Sequence, residues 1–172
     1  MCVGSLIERK GIDLLLNALA RVKCEYSLYL AGEGEEKEQL QKQAKDLQIF
    51  DKVHFLGQLN RAELLKHYAN SDLFVLPTRE DCFALVILEA MCAGLPIVCS
   101  KYADGAYDLI EEGKNGFIED PYDADNFAEC IERIITNKEL REMMQKQSAE
   151  IVEKFRFANI AKGYMEAIEE CI

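Results

Sequence analysis

Asp81 and Glu89 lie eight residues apart, and Glu89 is the single charge between Cys82 and Ser100. An ionised carboxylate within an apolar helix costs free energy unless something polar meets it. Glu89 therefore reads either as an acceptor for a ligand or as an acid paired within the fold. At 1.5 Å of rise per residue the two acids would stand about 10–12 Å apart if mostly helical. Acid/base pairs of glycoside hydrolases sit about 5–9.5 Å apart, so this spacing does not suit hydrolysis between them. It suits two acceptors gripping opposite ends of an elongated, polyhydroxylated ligand such as a nucleoside diphosphate sugar. Asp81 is placed as the N-cap of a helix near residues 83–93, where N–H groups at Phe83, Ala84 and Leu85 would receive an anion or hydroxyl.

The cations that such a ligand needs lie early in the chain. Gly4-Ser5-Leu6-Ile7-Glu8-Arg9-Lys10-Gly11 carries Arg9 and Lys10 just before a helical pattern, where they could neutralise phosphates. The loop has neither the order of a phosphate loop nor the GxGxxG dinucleotide fingerprint. Taken alone, its glycines are turn residues and its cations solvated. Gly32 and Gly34 flank Glu33 at the end of a second apolar run, a weak signal because tight turns use glycine in any case.

Composition narrows the partners. The 172 residues carry 20 Lys+Arg against 31 Asp+Glu, a net charge of −11. That argues against sequence-independent binding to nucleic acid or anionic lipid. Residues 1–24 nonetheless hold Arg9, Lys10, Arg21 and Lys23 against Glu8 and Asp13, a local cationic excess. Seven cysteines without CxxC or Cys/His spacing, and only two histidines, imply buried thiols in a reducing cytoplasm and no metal site. The apolar stretch 82–100 resembles a membrane span in hydropathy alone. Glu89 and Gly94-Leu95-Pro96 instead make it a core helix, a turn and a strand.

The elements that position these residues follow from periodicity. Apolar runs begin at Val3 and continue with Tyr26–Ala31, Val53–Gly57, Leu73–Leu76 and Pro96–Ser100, with a short sixth at Gly116–Ile118. Between them lie helical patterns at 11–22, 35–48, 61–69 (with Asn60 as N-cap) and near 83–93. Three closing helices fall at 123–135, 138–154 and 157–171. Such alternation predicts one α/β domain over 1–172, a Rossmann-like open parallel sheet with helices on both faces. Ligands of such sheets bind beyond the carboxyl ends of the strands, which selects loops 4–11, 32–37, 57–60, 77–84 and 100–108.

In register, these residues resemble a known family. Val3-Gly4-Ser5-Leu6 running to Arg9-Lys10-Gly11-Ile12-Asp13, Leu30-Ala31-Gly32-Glu33-Gly34, Val53–Gly57, and Pro77-Thr78 through Glu89-Ala90-Met91-Cys92-Ala93-Gly94-Leu95-Pro96-Ile97-Val98 are similar to the C-terminal domain of group 1 (family 4) retaining glycosyltransferases. The resemblance runs in collinear order over essentially the whole chain. It implies the donor-binding half of a GT-B enzyme, which transfers a sugar from a nucleotide donor with retention and without a metal or other cofactor. It implies that Glu89 takes the ribose hydroxyls, and that Asp81 lies by the donor sugar beside the N–H groups of Phe83 and Ala84. Lys10 helps to hold the diphosphate. Ser5 stands where the family commonly has arginine, and Arg9 is the nearest substitute. Asp81 is one methylene shorter than the family's glutamate, with Cys82 and Ala84 in place of its usual glycines. The N-terminal acceptor-binding domain is expected to be missing, with Met1 at the first strand of the donor domain. That half would also carry any peripheral membrane association of the parent enzyme, and this half alone would turn over little. A non-catalytic Rossmann-like module and a GT-B sugar-nucleotide epimerase remain alternatives at this point.

Overall fold

The structure, a computed structural model, describes residues 1–170. Among the described residues there are six strands: β1 (Cys2–Val3), β2 (Leu28–Ala31), β3 (Val53–Gly57), β4 (Phe74–Leu76), β5 (Ile97–Ser100) and β6 (Gly116–Glu119). Eight α-helices accompany them: α1 (Ile12–Leu19), α2 (Lys37–Asp46), α3 (Arg61–Ala69), α4 (Leu85–Cys92), α5 (Ala106–Leu109), α6 (Ala124–Thr136), α7 (Lys138–Val152) and α8 (Phe157–Glu170). The expected end of the last helix at Cys171 lies outside the described residues. Helix α5 was not foreseen, because four residues are too few to show a helical period.

All strand pairs are parallel, in the orders β1-β2-β3 and β4-β5-β6. The two triplets meet edge to edge at β1 and β4. There the Met1 amino group donates to the Leu73 carbonyl (2.7 Å), and the Val75 N–H donates to the Met1 carbonyl (2.9 Å). The order across the molecule is therefore 3-2-1-4-5-6, the doubly wound arrangement that opens a crevice where it reverses, between β1 and β4.

Alternation along the strands builds two cores. Cys2, Leu28, Leu30, Val75, Val98 and Phe117 face α1, α2 and α6. Met1, Ala31, Phe74, Leu76, Ile97 and Cys99 face α3, α4 and α5. Parallel sheets need both faces covered, which explains why the strands read as unbroken apolar runs. Helix α3 begins at Asn60 with reciprocal caps. Asn60 Oδ1 accepts from the Glu63 N–H, and Glu63 Oε2 accepts from the Asn60 N–H, both at 3.0 Å. Helix α8 leaves Phe157, Ile160, Tyr164, Met165 and Ile168 exposed. Among the described residues no helix is long and apolar enough to cross a membrane, and 82–100 is the expected helix, turn and strand.

Candidate functional site

Loops after β1 and β4 leave the sheet on either side of the crevice and are tied together across it. Gly11 closes a 3-10 turn at Glu8–Lys10 and opens α1 with φ +65°. A Cβ there would lie 2.2 Å from the Pro77 carbonyl oxygen, so only glycine lets the start of α1 reach the end of β4. The Arg79 N–H donates to the Arg9 carbonyl (2.8 Å). The fully buried Thr78 hydroxyl lies 3.0 Å from the same carbonyl and 2.9 Å from that of Glu80. Arg79 forms a two-pronged pair with Asp13, Nη1–Oδ1 and Nη2–Oδ2 both 2.7 Å, and also donates to the Glu8 carbonyl. The bonds to Asp13 hold the guanidinium charged, raising its already high pKa. Neither Thr78 nor the Arg79–Asp13 pair was singled out in the sequence, since nothing local links positions 13 and 79.

This fastening brings Lys10 to Asp81. The Lys10 ammonium donates to Asp81 Oδ2, with the two side chains only 17% and 12% exposed. The Lys10 stem runs past Gly4, where a Cβ would make only ordinary contact with it, at 3.8 Å. Asp81 is held in turn by a short parallel bridge to Ala103. Its N–H donates to the Tyr102 carbonyl (3.1 Å), and its carbonyl accepts from the Asp104 N–H (2.9 Å). Gly105 continues this pairing, donating to the Cys82 carbonyl (3.0 Å).

That bridge corrects the placement of Asp81 as N-cap. Residues 81–82 pair with 102–105, so α4 starts only at Leu85, and its N-cap is Ala84 with φ +51°. Asp81 Oδ1 instead accepts the Ala84 N–H at 3.0 Å. Of the three N–H groups expected to face a ligand, Ala84's is therefore already bonded. At the start of α4 the Ile87 N–H already donates to the Ala84 carbonyl (2.8 Å), which leaves the N–H groups of Leu85 and Val86 as the ones without an acceptor in the helix. Phe83 and Leu85 are exposed beside them.

Glu89 also differs from expectation. It is exposed, because α4 turns Leu85, Glu89, Cys92 and Ala93 outward and packs Ile87, Ala90 and Met91 inward. Its partner is Tyr68 of α3, whose hydroxyl donates to Glu89 Oε2 at 3.1 Å. Tyr68 too was missed from sequence.

The remaining candidates divide. Arg9 is exposed, with its guanidinium on the Glu80 carbonyl (3.1 Å), and Ser5 is exposed on the same loop. Gly32 and Gly34 pack against the first loop through their backbones: a Cβ would lie 1.9 Å from the Gly4 carbonyl oxygen in one case and 2.2 Å from that of Leu6 in the other. Their observed job is to let the loops after β1 and β2 lie in contact. A cavity of about 400 Å³ opens at the opposite, amino ends of β1 and β2, between Met1, Leu28 and Leu73. No Lys, Arg or His lines it, so it does not suit a phosphate.

Comparison with known proteins agrees with this architecture. The family described as "Glycosyl transferases group 1" matches residues 1–151. A lipopolysaccharide core biosynthesis glycosyltransferase, LpsE of Rhizobium meliloti, is 32% identical over 169 residues, which cover 98% of this chain and 48% of that protein. The crystal structure of Anabaena Alr3699/HepE in complex with UDP is 28% identical with a TM-score of 0.85, over 98% of this chain and 48% of that one. The C-terminal domain of the group 1 family protein LpcC from Francisella tularensis shares the fold (TM-score 0.80, 19% identity), over 89% of this chain and 83% of that domain. The chain thus spans about half the length of the curated relatives it matches, such as 48% of LpsE. It corresponds to one half of the GT-B architecture, and it belongs to the group 1 glycosyltransferase family.

Proposed function

We propose that this domain binds the nucleotide-sugar donor of a retaining glycosyltransferase. The observation that carries the reading is the meeting of Lys10 and Asp81 in the crevice between β1 and β4, with Glu89 about one turn along the helix that follows. Lys10 has three donors, so it can keep Asp81 and still bond a phosphate oxygen. Together with the N-terminus of α4 it stabilises the charge that grows on the diphosphate as the anomeric carbon–oxygen bond breaks. Asp81 faces the sugar and Glu89 the ribose hydroxyls. The acceptor hydroxyl forms the new bond to the anomeric carbon, and its proton leaves to the departing phosphate or to a base of the other half. The HepE complex with UDP, at 28% identity, supports a uridine nucleotide as the first probe.

The acceptor site falls to the portion of the relatives' length that this chain does not span. The exposed apolar residues of α8 supply a surface on which that half would pack. Without it the domain binds donor and transfers little.

Titration calorimetry with UDP, GDP and ADP tests the reading. One of them is expected to bind. Lys10→Ala should weaken it by about tenfold or more, the worth of one charge-assisted hydrogen bond, and flatten its salt dependence. No heat with any nucleotide at millimolar concentration, or unchanged affinity in Glu89→Ala, overturns it.

A further inference from the structure

Glu89 stands on the outer face of α4, where a glutamate ordinarily samples several rotamers. Here one oxygen is held. Tyr68 is 1% exposed, its ring 5.9 Å from that of Phe74, so its hydroxyl emerges at one fixed point. A buried phenol needs an acceptor, and among the described residues its bond goes to Glu89 Oε2, at 3.1 Å. Burial and the neighbouring carboxylate push the Tyr68 pKa far up, so the phenol remains a donor at any working pH.

We propose that Tyr68 is a positioning residue: by holding Glu89 Oε2 it presents the carboxylate to two adjacent hydroxyls, making the site select a ribonucleotide over its 2′-deoxy analogue. The inference rests on the proposed ribose-facing role of Glu89. An ionised carboxylate has about four acceptor positions and no donor. Tyr68 occupies one, and the two oxygens can still each accept one hydroxyl of a vicinal diol. A site built to bond both hydroxyls discriminates against a ligand lacking one. The discrimination depends on both oxygens staying in place, which a freely rotating acid does not guarantee.

The test compares UDP with 2′-deoxy-UDP by calorimetry on the wild type, Tyr68→Phe, Glu89→Gln and the double variant. The wild type is expected to favour UDP by about tenfold, one hydrogen bond to a charged group. Tyr68→Phe should bind 2′-deoxy-UDP like the wild type but UDP several-fold more weakly, bringing the ratio toward one. In the Glu89→Gln background the same change should alter nothing. A merely structural tyrosine would lower both affinities together. An unchanged ratio in Tyr68→Phe overturns the proposal. A wild-type ratio of one overturns it differently, by removing Glu89 from the ribose, and Glu89→Ala then leaves UDP affinity intact. Tyr68→Met keeps the core filled without a donor and repeats the comparison if the phenylalanine variant folds poorly.

Discussion

Replacing Gly11 by alanine tests whether the contact between the start of α1 and the end of β4 builds the site. Two costs act at this position. The left-handed backbone, φ +65°, disfavours any Cβ by about 1–2 kcal/mol. The added carbon would then sit 2.2 Å from the Pro77 carbonyl oxygen, which belongs to the backbone and has no rotamer to escape through. Relieving that contact moves the end of β4 by roughly 1 Å, and overpacking of this kind costs about 1–3 kcal/mol. The total is about 2–5 kcal/mol. Gly113 is the internal control, since its φ is +74° and a Cβ there meets nothing within 4 Å. Gly113→Ala should therefore cost only the first, about 1–2 kcal/mol. Urea unfolding of both variants isolates the steric part as their difference. Because Thr78 and Arg79 follow Pro77 directly, Gly11→Ala should also weaken nucleotide binding while Gly113→Ala leaves it alone. If Gly11→Ala costs no more than Gly113→Ala, or if both bind nucleotide like the wild type, the fastening of the two loops does not work as described.

Two further outcomes follow from the same geometry. Cys82 and Cys92 are exposed, whereas Cys2, Cys99 and Cys130 are buried; burial raises all three thiol pKa values, with Cys2 and Cys130 each pushed up to about 12. Alkylation at pH 8 with peptide mapping should therefore label the first pair in the folded protein and the other three only on unfolding. Saturating UDP should slow Cys82, which adjoins Asp81; labelling of Cys82 that ignores UDP would place the nucleotide elsewhere. Asn60→Ala removes the reciprocal cap of α3 and should cost about 1 kcal/mol in urea unfolding, with a loss of only a few tenths refuting that account.

Much of the scaffold was legible because its causes are local. Ile12, Leu15, Leu16 and Leu19 mark α1 by their spacing alone, and the closing glycine and proline of 94–96 turn α4 into β5 within a few residues. Asn60 before the helical pattern at 61–69 announced its cap for the same reason. The errors arose where distant segments compete for the same groups. Asp81 has the chemistry of an N-cap, yet the chain at 102–105 claims the backbone of 81–82 first and delays the helix to Leu85. The outward placement of Glu89 was hidden because α4 is apolar on both sides. With Leu85 66% exposed, no hydrophobic stripe tells which face meets the core.

The sequence by itself determined the alternation of strands and helices, hence a parallel sheet covered on both faces. It also determined the carboxyl-end loops in which Lys10 and Asp81 lie and the helix that carries Glu89, because each of these follows from residue types within one or two turns. Only the tertiary structure decided which of those loops meet. The pairing of β1 with β4 brings position 10 to position 81 and position 13 to position 79. It shows Gly32 and Gly34 to be places where backbones touch, and it sets a buried phenol 21 residues upstream of the exposed acid it holds. Contacts of that kind depend on the order of strands in space, which periodicity along a single chain does not encode.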